Sequence, residues 1–166
     1  MPKLWIGYLL ALATFVGEAI SLSRHPDMLT QTQWTLPPLE MFLPTFVSGV
    51  YWLACVHRYH VILAAVPGWK HPVSPAKAVG FHFIPFFYLV WMFIWPHEVA
   101  KFVNSRLNTN VMRGWMVGIG SIGALACEIL FIPAVGIALL FLTLRYVAVC
   151  LSRALAVNDS GNATQT

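Results

Sequence analysis

VGFHFIPFFYLVWMFIW, residues 79–95, decides the topology of the chain, because these 17 residues either cross a bilayer or dip into it and return. A helix of that length reaches roughly 25 Å at 1.5 Å per residue, short of the roughly 30 Å hydrocarbon layer. Pro85 removes one backbone donor and frees the carbonyl of Phe81. Lipid cannot satisfy that carbonyl, but neighbouring helices can. With His82 also inside it, the stretch reads as a bent element shielded by protein rather than a regular span.

The surrounding sequence is that of an integral membrane protein: 58% of its 166 residues are hydrophobic, 10% are charged, and the mean hydropathy is +0.71. Four other apolar stretches, about 4–22, 42–59, 115–132 and 134–152, are candidate spans, the last two divided at Pro133. Lys3 precedes the first as it would in a signal peptide, but the length of the run and its lack of a small-residue cleavage site favour an anchor. The expected organisation is one membrane domain over residues 1–157 and a flexible polar tail over 158–166. Net charge is +4, yet the basic residues are spread through loops rather than clustered with aromatics, so nucleic acid is not an expected partner.

Those basic residues choose between the topologies. Leaving out Arg145, which falls inside the last run, a crossing at 79–95 puts four Lys and Arg on one side and five on the other. A stretch that enters and leaves by one face puts eight inside and leaves only Arg24 outside. The positive-inside rule selects the second arrangement. The sequence therefore predicts an all-α protein with four transmembrane helices, both termini cytoplasmic, and a re-entrant or interfacial hairpin over residues 79–107. The outer loop, residues 23–40, is broken by Pro26, Pro37 and Pro38, and Trp34 is expected at the lipid boundary. After the dip, HEVAKFVNSRL (97–107) places Val99, Phe102, Val103 and Leu107 at helical spacing opposite Lys101, Asn104 and Ser105, which predicts a surface-lying amphipathic helix.

Three segments, YWLACVHRYHVIL (51–63), SPAKAVGFHFIPFFYL (74–89) and WPHEVAKFV (95–103), together resemble a bacterial integral-membrane family, domain of unknown function 4328. The resemblance covers about a third of the chain. It departs from the family where Trp95 and residues 88–90 replace the Arg or Tyr and the Asn common in members. What it implies is a membrane fold in the bacterial cytoplasmic membrane, with no reaction attached.

Ionisable residues inside spans are costly and so are candidates for function. Glu18 and Glu128 fall roughly 21 Å above the inner face, where they can meet, and Arg145 roughly 12 Å above it. A proton or ion relay through the three is one reading; a structural ion pair with a protonated carboxyl is the favoured one. At the inner surface His57, Arg58, His60, His82, His97 and Glu98 are candidate interface or ligand residues. Their spacing supplies neither a zinc pattern nor a haem motif, and headgroup contacts suit them better. Phe86, Trp91 and Trp95 are the candidate partner-contact aromatics. Gly114 and Gly118 form one Gly-x-x-x-Gly, read as packing within the bundle. Cys55, Cys127 and Cys150 read as small apolar residues.

No nucleotide loop, nucleophile triad, paired carboxylates or metal motif is visible, which disfavours an enzyme. The expected function is a non-catalytic accessory or assembly subunit of a larger membrane complex, binding membrane lipids and other integral membrane subunits or itself. A small oligomeric transporter or channel comes second, and a haem-, quinone- or lipid-binding component third.

Overall fold

The computed structural model describes residues 1–26, 37–130 and 132–163. Trp34, most of the outer loop and the end of the expected tail lie outside the described residues. Six helices form, α1 (Leu4–Arg24), α2 (Leu39–Ala64), α3 (Pro75–Gly80), α4 (Phe87–Leu107), α5 (Gly114–Ile129) and α6 (Pro133–Ala163), with no strand among the described residues. Three of them are long and apolar enough to cross a membrane: α1, α2 and residues 133–157 of α6. α5 has 16 residues, about 24 Å of helix.

α1 is built inside out. Its buried residues are Gly7, Thr14, Gly17 and Ser21, while Trp5, Leu9, Leu12, Phe15, Val16 and Ile20 are exposed. In water that distribution would be unstable; in lipid, where apolar side chains gain nothing by facing inward, small residues inside let backbones approach. Gly17 lies against the Glu40 carbonyl of α2 and Gly7 against the ring of Phe141 in α6. Pro44 inside α2 is what leaves the Glu40 carbonyl without a helical donor.

α2 changes character along its length. Phe42, Leu43, Phe46, Val47 and Val50 face outward, whereas Trp52, Cys55, Val56, Tyr59, His60 and Leu63 are buried. The change follows from what packs there. The second half of α2 meets the α3–α4 hairpin and the middle of α6, where the Tyr59 hydroxyl donates to the Leu144 carbonyl at 2.9 Å.

The hairpin opens at Ser74, whose side chain caps α3 by accepting from the Lys77 N–H at 3.3 Å, with Pro75 at the first helical position. A 3₁₀ turn, Phe81–Phe83, follows, and the helix breaks at residues 84–86, as Pro85 predicts. The chain then reverses. The Trp91 indole N–H of α4 donates back to the Ala78 carbonyl at 3.0 Å, and Phe81 packs edge-on against Trp91, so α3 and α4 run antiparallel.

One expectation is corrected here. The surface helix expected from residue 97 is not separate, because α4 runs unbroken from Phe87 through Pro96 to Leu107. The apolar face read from its spacing is real, but Val99, Phe102 and Val103 turn to the protein core rather than to the membrane surface. Gly114 makes room for this packing, since a Cβ there would lie 2.7 Å from the His97 Cα and 2.9 Å from the Pro96 carbonyl carbon. The loop back to α5 is stitched by Asn104, which donates to the Met112 carbonyl and accepts from the Met112 N–H, each at 2.9 Å. The Arg113 N–H donates to the Tyr146 hydroxyl at 2.9 Å and sets the start of α5 level with the middle of α6.

Candidate functional site

The densest gathering of chemistry-bearing side chains lies where α2, the hairpin and the loop between them meet. His60 Nδ1 and His71 Nε2 are 2.7 Å apart and share one proton. The His60 ring packs against Trp95 at 6.1 Å between centroids, Trp95 against Trp52 at 6.4 Å, and Trp52 edge-on against His82 at 5.1 Å. His82 in turn meets Trp91. The chain of contacts thus runs His71, His60, Trp95, Trp52, His82, Trp91.

Helix periodicity places most of it. Trp52 and His60 lie two turns apart on the buried face of α2, and Trp91 and Trp95 one turn apart on that of α4. His60 and Trp95 are fully buried. Beyond the single shared bond, His60 Nε2, His71 Nδ1, both nitrogens of His82 and the indole nitrogens of Trp52 and Trp95 are enclosed without a well-formed hydrogen bond. Each such group costs on the order of 1–3 kcal/mol. Burial of six large rings is the offsetting term, at about 1.5–3 kcal/mol for a side chain the size of phenylalanine. Burial lowers the pKa of His71, and the Glu98 carboxylate partly opposes that shift. The arrangement is a largely apolar joint whose burial favours the neutral form of the His71 imidazole.

The candidates from sequence separate into groups. His60 and His82 enter the joint; His57, Arg58 and His97 are exposed outside it. Glu98 pairs with Lys101 at 2.7 Å on the surface of α4. Phe86 is 85% exposed at the hairpin tip, but Trp91 and Trp95 are corrected, since both are buried in the chain's own core and are not free to contact a partner. His71 was not a candidate in the sequence, where it stands in the PGWKHPVSP loop without a period to place it. Its nearest signal is the flanking Pro67 and Pro72, which fold the loop back on α2.

At the opposite end Glu18 and Glu128 do come close, each beside the start of α6. A Glu18 carboxylate oxygen accepts from the Ala134 N–H at 3.3 Å, and Glu128 lies beside Gly136. A carboxylate at a helix N-terminus satisfies free N–H groups there. Arg145 does not join them. It is exposed next to Tyr146, level with Arg113 and far down α6, so a relay through all three has no continuous path. Among the described residues no group of three or more His, Cys, Asp or Glu side chains is placed to hold a metal ion. Gly114 and Gly118 serve the contact with α4, at His97 and Phe93.

No family model, curated protein or solved structure matches the chain.

Proposed function

We propose that the protein is a four-span protein of the bacterial cytoplasmic membrane, both termini inside, and that it acts as a non-catalytic subunit docking on a second integral membrane protein through a re-entrant hairpin. The observation that carries this reading is Phe86. It stands at φ +61°, the left-handed region, with its ring 85% exposed. A bulky residue held there costs on the order of 1–3 kcal/mol, and such strain concentrates at clamps and docking points. The chain bears that cost to hold a large apolar ring outside its own core. Phe83, Ile84 and Val90 extend the same uncovered surface.

Two further observations support the topology. Trp69 packs on Phe102 and the Arg106 guanidinium donates to the Pro67 carbonyl at 3.3 Å, so Lys70 and Thr109 flank the hairpin at the same end of the bundle. Exposed Trp5 and Trp115 stand with Lys3 and Arg113 at the starts of α1 and α5, the composition of an aromatic and basic belt at an inner interface.

The experiment is purification from native membranes into nanodiscs, followed by mass spectrometry, with wild type and Phe86→Gly. Glycine removes the ring and relieves the backbone, so the variant folds at least as well and loses a stoichiometric integral-membrane partner. An unchanged complex sinks the docking reading. Topology is read separately with Lys70→Cys and Thr109→Cys and a membrane-impermeant maleimide. Labelling from the same side is expected, and labelling from opposite sides would mean that the hairpin crosses.

A further inference from the structure

Along the seam between α2 and the hairpin runs an open groove of about 660 Å³, within the range of about 300–1,000 Å³ typical of ligand sites. One wall is Val50, Ala54 and His57 of α2; the other is Val79, Gly80 and Phe83 of the hairpin. The contacts of His71 with His60 and of His82 with Trp52 make the two walls antiparallel, and this gives the groove two unlike ends. Toward Val50 and Phe83 it is wholly apolar and lies beside the exposed hairpin tip. Toward His57 two basic residues flank it. Arg58 stands one helical turn beyond Ala54, Lys77 one turn before Gly80, and both are exposed. Among the described residues no carboxylate lines it. At Gly80 there is unfilled room, since an added Cβ would meet nothing within 4 Å.

An apolar trough with His57 at one end and the exposed Arg58 and Lys77 flanking that end suits a hydrocarbon chain ending in an anionic headgroup. Lys and Arg at the inner surface attract such headgroups, and long basic side chains reach them by laying their stems along apolar surface. We infer that the groove holds one anionic phospholipid of the surrounding bilayer, its acyl chain between Val50, Val79, Gly80 and Phe83 and its phosphate against His57, Arg58 and Lys77. The site rests on the part of the proposed function that sets the hairpin tip in the membrane. The lipid fills the seam that the hairpin leaves with α2.

The test is native mass spectrometry of the detergent-purified chain titrated with phosphatidylglycerol or phosphatidylcholine of identical acyl chains. Wild type is expected to retain phosphatidylglycerol preferentially. Arg58→Gln with Lys77→Gln reduces that preference by about 25-fold, each basic residue beside an anionic headgroup being worth about fivefold. Gly80→Leu and Ala54→Phe fill the groove from opposite walls, and both are expected to lose either lipid while keeping the wild-type melting point in lipid-free detergent. Either filled variant binding phosphatidylglycerol as wild type does overturns the site, as does a wild type without headgroup preference. Because the titration takes place in micelles, its outcome does not depend on topology; maleimide labelling from opposite sides would overturn the re-entrant reading and leave the groove's own result standing.

Discussion

α1 and α4 each contain 21 residues, and they are packed by opposite rules. α1 hides Gly7, Thr14, Gly17 and Ser21 and turns Leu12 and Phe15 outward; α4 hides Trp91, Trp95, Val99 and Phe102 and exposes Lys101 and Ser105. A helix surrounded by hydrocarbon has no reason to bury large apolar groups and gains by close backbone approach, whereas one wrapped by protein is held by the volume it buries. The comparison teaches that apolar content marks contact with lipid less well than which residue sizes face inward. It also divides α2, whose first half follows the rule of α1 and whose second half follows that of α4.

The strongest way to break this contrast is a pair of truncations. Trp95→Ala empties the core between α2 and α4 and is expected to cost about 3–5 kcal/mol. Phe15→Ala, on the outer face of α1, is expected to stay within about 0.5 kcal/mol. Thermal denaturation in one detergent checks both, and equal losses would remove the distinction. Next in size, Leu12→Asp puts a charge near the middle of the outward face of α1. If lipid is the solvent there, insertion is penalised by about 2.5–3.5 kcal/mol and the membrane-integrated fraction falls in a protease-protection assay. If water were the solvent, the same change would be harmless. Smaller again is Gly17→Val, which drives a side chain into the Glu40 carbonyl of α2. Overpacking of this kind is expected to cost about 1–3 kcal/mol, seen as a lower melting point, while Gly49→Val, where a Cβ meets nothing within 4 Å, leaves it unchanged.

Much of the fold was legible in the chain because the signals were local. The apolar runs mark the long helices, Pro85 marks the break, and the spacing of Val99, Phe102 and Val103 marks an inward face. What that face packs against was not legible. In a stretch as apolar as residues 86–95, lipid-facing and protein-facing positions carry the same residue types, so periodicity could not tell exposed Phe86 from buried Trp91 and Trp95. The candidate site was legible in part for a related reason: His60 and His82 drew notice as ionisable groups in apolar sequence, whereas His71 sits in a proline-rich loop whose return to α2 is a tertiary event. The separation of Arg145 from Glu18 and Glu128 was not legible, because it depends on which turns of α6 meet α1 and the start of α5, which residue counting from Arg153 does not contain.

pH separates the two packing regimes. His71 is held below the ordinary histidine range by burial, with Glu98 opposing, and it is surrounded by His60 together with His57 and His82 near that ring. The folded chain therefore prefers the neutral imidazole and the unfolded chain takes up the proton first, from about pH 6.5 downward. Stability that is full above the unfolded value is lost as pH falls toward the folded value. A second proton on the pair would also set two N–H groups against each other across 2.7 Å, so acid opens the joint at the loop rather than loosening the bundle evenly. The melting point is expected to fall between pH 7 and pH 5, with hydrogen exchange rising first in residues 66–74. His71→Asn is expected to flatten that dependence while leaving α1 protection unchanged. A slope as steep in His71→Asn as in wild type would move the acid sensitivity elsewhere in the chain.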